Sequence, residues 1–367
     1  MQIRAAVLEA FDKPLVVQEV ELAEPGPREV LVRLVACGVC HTDMYSASGA
    51  DPSGYAPTVL GHEGAGVVER CGEDVSLVRA GDHVVTLFSP QCGECVHCIS
   101  PLTNLCLAIR QQQNLGYLPD GTTRLSRDGQ PLRHFMGTST FAEYTVMPEI
   151  ALARIDPDAP LDRACLFACG LSTGLGAAIK TASVSAGSTC VVFGAGMVGL
   201  GAVAGCRLQG AQRIVCVDLA PERLELARGQ GATDVLIGGA DTVAEILEMT
   251  DGFGADFTFE ATGSVAVMRQ AVEAARMGWG LCTVCGVAGR GETLEIVPRL
   301  LITGRRVCGS SFGGLKGRED VPALVDRYLA GEIDVDPFIS HRIQLADINR
   351  GFELMEAQDG IRSVIEL

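Results

Sequence analysis

Apolar and polar residues alternate in short runs through the first part of the chain. The segments LVVQEVEL (15–22), EVLVRLVACG (29–38), GHEGAGVVERCG (61–72) and AGDHVVTLF (80–88) alternate with period two or run apolar, bounded by glycine or charge. That pattern predicts strands. No long helical period appears before LDRACLFACGLSTGLGAAIKTA (161–182), so this part is expected to be a small β-barrel with long loops. From about residue 171 the rhythm changes. STCVVFG (188–194) reads as a buried strand, MVGLGAVAGCRLQG (197–210) as an apolar helix, RIVCVD (213–218) as a strand and PERLELARGQG (221–231) as a helix with a solvated charged face. ADFTFEATG (255–263) and GLCTVCGV (280–287) supply further strands. Strands alternating with helices predict βαβ units on a parallel sheet. The tail is mixed, with a helix in DINRGFELMEAQ (347–358) and a last strand in IRSVIEL (361–367).

A chain of 367 residues exceeds one ordinary core, so two domains are expected. The change of rhythm puts a barrel-type domain at 1–170 and 312–367 and a parallel-sheet domain at 171–311, an α/β architecture overall. The stretch 181–206 carries no charge, but glycines at 187, 194, 196, 199, 201 and 205 break it. Strand, turn and helix explain it better than a membrane span. The N-terminal MQIRAAVLEAFDK has no apolar core or cleavage pattern, which argues against secretion and for a cytoplasmic protein. A formal charge of −16 disfavours nucleic acid or an anionic membrane as partner. Fifteen cysteines in such a chain suggest metal binding and buried thiols, with Cys282 and Cys285 read as core packing.

GAGMVG follows an expected strand and opens an expected helix. Gly194 permits the tight turn, Gly196 lets backbone approach a pyrophosphate, and Gly199 lets helix and strand pack closely. Asp218 ends the next strand, where a carboxylate accepts from ribose hydroxyls and disfavours a 2′-phosphate, so NAD is the expected cofactor. Arg223, one turn on, contacts the ribose, pairs with Asp218 or is a plain surface charge.

QCGECVHCISPLTNLC places Cys92, Cys95, Cys98 and Cys106 in one short segment, within a lobe at 91–107. Four thiolates suit a closed tetrahedral zinc site, and the metal stands in for a core the loop cannot build. An iron–sulfur cluster is the competing reading. A second constellation comprises Cys37 or Cys40, His62 and the distant Cys169, three ligands with a fourth position open. Spacing alone neither chooses between Cys37 and Cys40 nor brings in Cys169, which reads equally well as a buried thiol.

GVCHTD, GHEGAG, PQCGECVHC with its fourth cysteine, CGLSTG, GAGMVG with Asp218, and GIRSVIEL occur in an order that resembles the zinc-dependent medium-chain alcohol dehydrogenases over the whole chain. GADPSGY, PDGTTR and FMGTSTFAEYTV are similar to the class III branch, the glutathione-dependent formaldehyde dehydrogenases. The resemblance implies a GroES-like catalytic domain, a Rossmann coenzyme domain, an active site in the cleft, two zinc ions per chain, NAD, and a homodimer or tetramer. It implies Cys40, His62 and Cys169 as catalytic zinc ligands, with Cys37 a structural thiol. Asp43 would hold the His62 ring, Glu63 would stand beside the metal as a transient ligand, and Thr42 would hydrogen-bond the substrate oxygen. His41 and Arg362 would meet the pyrophosphate, and Thr173 and Val198 the nicotinamide.

Tyr45 stands where the best-known branch has a histidine relay, so solvent is the expected final proton acceptor. Class III enzymes bind a glutathione adduct through basic and polar residues. Asp51 and Arg110 match that set, whereas Ser53, Leu107 and Met277 replace an expected Glu, Gln and Lys. With Phe88 lining the pocket, a primary alcohol or aldehyde with an apolar or aromatic body is the expected substrate, and S-hydroxymethylglutathione the alternative. A zinc- and NAD-binding protein without turnover is the alternative of another class. A quinone reductase of the same fold is disfavoured by the presence of Cys40 and His62.

Overall fold

The computed structural model describes every residue except 52 and 53. The departure at Ser53 therefore lies outside the described residues. The chain divides into two compact units, one comprising Met1–Cys169 with Lys316–Leu367 and the other Gly170–Leu315.

In the first unit, the strands Gln2–Leu8, Val16–Leu22, Leu125–Arg127, Gln130–His134 and Thr58–Val59 close into a barrel. A second sheet runs through Leu152–Arg154, His83–Thr86, Glu63–Cys71, Glu29–Gly38, Arg362–Glu366 and Ile339–Gln344, with Tyr144–Pro148 also paired to Glu29–Gly38. Alternating side chains put Ile3, Val20, Leu31 and Val146 into one core, as the period-two pattern requires. The register of the central pair sets Gly38 opposite Glu63. A Cβ on residue 38 would lie 2.2 Å from Glu63 Oε2, so glycine is what admits the glutamate there.

The second unit is a six-stranded parallel sheet in the order Asp234–Ile237, Arg213–Asp218, Thr189–Phe193, Phe257–Glu260, Leu281–Val284, Arg306–Gly309. Chain order reverses between Thr189–Phe193 and Phe257–Glu260, the switch point where doubly wound sheets bind ligands. Val191, Val215 and Phe259 are fully buried, as expected of strands covered on both faces. The two edge strands have half-exposed, weakly patterned sequences, and so left little trace in the hydrophobic rhythm. The glycines of 181–206 serve close helix packing. A Cβ at Gly201 would lie 2.7 Å from the Leu171 carbonyl oxygen, and one at Gly205 2.8 Å from Ala178 Cβ. Among the described residues no single helix is long and apolar enough to cross a membrane.

His134 is fully buried at the end of its strand, where Nε2 accepts the Arg124 N–H at 3.1 Å. Burial, helped by the Arg124 charge, pulls its pKa from 6.5 down to about 3. Between these values the unfolded chain takes up a proton that the folded chain refuses, so stability falls as pH falls through this window. Replacing His134 with Gln removes the term. The thermal midpoint of the variant, followed from pH 7 to pH 4, should gain on that of the parent as pH drops, by the equivalent of about 1.4 kcal/mol per pH unit at most.

Candidate active site and metal centres

Cys40 ends an extended segment and caps the short helix His41–Ala47, whose first turn carries Asp43. The Asp43 carboxylate is completely buried and gathers three groups. Oδ2 accepts the Cys40 N–H at 3.0 Å, while Oδ1 accepts the Gly61 N–H at 3.1 Å and stands 3.0 Å from His62 Nδ1. A carboxylate accepts, so the ring carries its proton on Nδ1 and presents the Nε2 lone pair elsewhere. Thr86 Oγ1 braces the same turn, accepting the Gly64 N–H at 3.0 Å and lying 3.2 Å from the His62 carbonyl oxygen. Cys169 enters through the turn after Cys165–Ala168.

The outcome is a compact donor set. One ligand atom from each of Cys40, His62, Glu63 and Cys169 lies within 4.8 Å of the others. The Cys169 thiol hydrogen-bonds Cys40 and, with Arg362 and His62 nearby, holds the Cys40 thiol well below its usual range, so the pair favours one thiolate. Burial pushes the Glu63 carboxyl up to about 7, against the pull of Arg362. Both Glu63 oxygens are buried without a hydrogen bond among the described residues, although Arg362 Nη2 stands 3.1 Å from Oε1. Two sulfurs, one imidazole and an unsatisfied carboxylate fit a zinc ion with an open position. Cys37 is not in the set; its Sγ lies 3.0 Å from Thr140 Oγ1.

Cys92, Cys95, Cys98 and Cys106 form the second group, again with sulfurs within 4.8 Å. Backbone N–H groups of Cys92, Cys95, Cys98 and Ala108 point at sulfur from 3.3 to 3.5 Å. Burial disfavours the Cys95 thiolate, but donors from Leu107 and Cys98 outweigh it and bring the thiol down to about 6, whereas burial pushes Cys106 up to about 12. Four thiolates so close cannot all be charged unaided, and a dication resolves the conflict. His97 stays outside this shell, its Nδ1 2.7 Å from the Leu105 carbonyl oxygen. Lys316 Nζ donates to the Cys98 carbonyl at 2.6 Å and Arg318 Nη1 to that of Gln91 at 2.7 Å, a clamp that no motif or spacing announces.

In the second unit, Gly194 has φ +95°, and a Cβ on Gly199 would lie 1.7 Å from the Gly194 carbonyl oxygen. A Cβ on Gly196 would meet nothing within 4 Å, leaving its backbone open to approach. The Asp218 carboxylate is fixed by the N–H groups of Ala195 at 2.6 Å and Ala220 at 2.9 Å. This cradle fits a dinucleotide pyrophosphate and ribose. Thr173 belongs to Gly170–Gly176, which touches the next helix closely enough that a Cβ on Gly174 would lie 2.0 Å from the Val198 carbonyl oxygen. Arg223 lies in the helix Pro221–Gln230. In the first unit, His41 opens its helix and Arg362 is buried, with Nη1 donating to the Val39 carbonyl at 2.6 Å.

A family model described as the alcohol dehydrogenase GroES-like domain matches residues 26–157, and one described as zinc-binding dehydrogenase matches 197–330. The class-3 alcohol dehydrogenase of Myxine glutinosa is 50% identical over 367 residues, covering 99% of this chain and 97% of that protein. The chain belongs to the class III branch of the zinc-dependent medium-chain alcohol dehydrogenases. The dehydrogenase is also similar to two solved structures. An alcohol dehydrogenase zinc-binding domain protein from Burkholderia ambifaria superposes with TM-score 0.94 at 34% identity, covering 100% of this chain and 99% of that one. Benzyl alcohol dehydrogenase from Acinetobacter calcoaceticus gives 0.93 at 32%, with the same coverage. Zinc and NAD are the cofactors of this dehydrogenase.

Phe88 and Phe135 each pack edge to face against His62, with centroids 5.7 and 5.8 Å from the imidazole. Both rings also wall a cavity of about 160 Å³ bounded by Asp51, Tyr55, Arg110, Gln113, Asn114 and Met136. Leu107 is exposed and is not among its lining residues, and Met277, in the second unit, is exposed. For Asp43→Asn the dehydrogenase should lose zinc affinity at the Cys40–His62–Cys169 centre by about 10–100-fold. Elemental analysis after dialysis against a chelator should then find zinc falling toward the amount held by the four-cysteine lobe alone.

Proposed function

We propose that the dehydrogenase oxidises primary alcohols with an apolar or aromatic body to aldehydes, and reduces such aldehydes in reverse. The observation that carries this is the cavity beside His62, with Phe88, Phe135 and Met136 among its walls. Its volume of about 160 Å³ compares with the ~150 Å³ apolar cavity known to take up benzene. The relative that oxidises benzyl alcohol by name has the same fold over its full length.

When bound, zinc supplies Lewis-acid polarisation of the substrate oxygen and NAD accepts the hydride. The chain's own residues do the rest. Cys40, His62 and Cys169 hold the ion, Asp43 fixes the imidazole tautomer, and Glu63 waits as an alternative ligand. Thr42, whose Oγ1 is 3.8 Å from Cys40 Sγ, accepts a hydrogen bond from the alcohol and passes its proton outward. Gly194, Gly196 and Gly199 seat the pyrophosphate, Asp218 and Arg223 the ribose, and Thr173 and Val198 the nicotinamide. His41 and Arg362 meet the pyrophosphate in this proposal. Fifteen cysteines with no disulfide among them suit a reducing compartment, which fits a cytoplasmic location.

A second reading is supported by Asp51 and Arg110 on one wall of the cavity, an anion and a cation suited to the amino and carboxylate groups of a glutathione adduct. Benzylic and medium-chain alcohols should give NAD reduction without glutathione, and Arg110→Met should leave that turnover within about twofold. Formaldehyde turnover that strictly needs glutathione and collapses in the Arg110 variant would establish the second reading. NAD binding with no turnover of any alcohol would leave only a binding protein.

The dehydrogenase acts as a homodimer in this proposal. The strand Arg306–Gly309 ends the sheet; Leu301 and Ile302 just before it, and Met277 and Trp279 just before its neighbour Leu281–Val284, are exposed, Ile302 to 83%. An open edge beside apolar surface is suited to a second copy. Light scattering should give twice the chain mass, and the double variant Leu301→Asp, Ile302→Asp should give one.

A further inference from the structure

The strand Phe257–Glu260 ends on a glutamate that none of the chemistry above uses. Glu260 is fully buried and sits beside Phe193, the last residue before the glycine turn. Its carboxylate is used unevenly. Oε1 accepts the Thr262 N–H at 2.6 Å, the Thr262 hydroxyl at 2.5 Å and the Gly263 N–H at 2.9 Å. Oε2 is buried with no partner among the described residues.

Two loops meet at this side chain. The Thr262 turn leans on the fingerprint, since a Cβ on Gly194 would lie 2.8 Å from Thr262 Cγ2, and the Ala261 N–H donates to the Phe193 carbonyl at 2.9 Å. The turn after Leu281–Val284 is held from the other side. The Cys285 and Gly286 N–H groups donate to the Glu260 carbonyl at 2.8 and 3.1 Å, and a Cβ on Gly286 would lie 2.6 Å from Oε2. Gly263 and Val287 close the contact, a Cβ on Gly263 falling 2.5 Å from the Val287 carbonyl oxygen. All of this lies at the carboxyl ends of the strands, the side on which such sheets bind dinucleotides.

We infer that Glu260 is a positioning residue for the dinucleotide. Its anionic oxygen gathers three donors and presses the Thr262 turn against Gly194, so the phosphate-binding turn is set before NAD arrives. A carboxylate is suited to this because one oxygen accepts several charge-assisted bonds at once. An amide would place a donor at Oε2, which has no hydrogen-bond partner among the described residues. The inference rests on the fingerprint and the coenzyme, not on which alcohol is turned over.

The test uses zinc-loaded full-length protein and titrates NADH by its fluorescence, without substrate. Glu260→Gln should raise the NADH Kd about tenfold, the effect of weakening one hydrogen bond to a charged group. KM for NAD should rise in step, with kcat within about twofold and both zinc ions retained. A purely structural role would lower the melting temperature while leaving the Kd of the folded fraction within about twofold, and that result overturns the inference. Thr262→Val keeps the methyl contact with Gly194 and removes the hydroxyl, which donates to Glu260 and also accepts the Ser264 N–H at 3.1 Å. It should raise Kd about threefold or more, and it decides the matter by the same criterion where Glu260→Gln does not fold.

Discussion

Three stretches of chain meet at the Asp43 carboxylate: its own helix, the Cys40 N–H before it, and the Gly61–His62 turn across the sheet. A buried anion is tolerated only when its oxygens are fully used and positive charge is close. Around Asp43 stand Glu63 and the sulfurs of Cys40 and Cys169, and Arg362 is the permanent cation that reaches all of them. That imbalance makes a dication part of the structure. Without it, protons must be taken up, as the shared proton of Cys40 and Cys169 and the raised Glu63 carboxyl show. The groups that make the site reactive are therefore those that make it depend on the metal.

The two metal centres of the dehydrogenase differ in how the chain supports them. The four-cysteine lobe is local, its sulfurs met by N–H groups of the loop itself and closed to further ligands. Long-range support comes from Lys316 and Arg318, which tie the loop to the start of Gly317–Leu329, where Gln91 also bonds Glu319 at 2.6 Å, and from the Gln91 N–H, which donates to the Ile150 carbonyl at 2.9 Å. The Cys40–His62–Cys169 centre is the reverse, with every ligand on a different element. Such a centre forms only after the sheet has its register, because the pairing of Gly38 with Glu63 aligns the strand before Cys40 with the strand after His62.

This difference explains what could be read in advance. The dinucleotide turn and the cysteine lobe were legible because their residues are neighbours in sequence and their chemistry follows from spacing. The main strands were legible where burial on one or both faces left a period. The short edge strands left none. Which cysteine faces the metal was not legible, since Cys37 and Cys40 differ only by the turn that sends one to Thr140 and the other to Cys169. Only the family resemblance named Cys40. Arg362 shows the remaining gap. Sequence placed it by resemblance at the phosphates, and the fold couples it to Glu63 across nearly the whole chain, a pairing no local pattern encodes.

Phe88 and Phe135 carry a consequence for specificity. Each ring packs against the imidazole of His62 and walls the neighbouring cavity at the same time. Enlarging the cavity at either ring removes packing from a metal ligand whose orientation otherwise rests on one carboxylate. Variation of substrate at that end is thus coupled to metal affinity. Met136, Arg110 and Asp51 line the cavity without being metal donors. Asp51 is tied to the helix of Asp43 through the Ser46 hydroxyl at 2.9 Å. Change at Met136 or Arg110 replaces neither a metal ligand nor Asp43. Relatives with one metal centre and different substrates are expected to diverge there first.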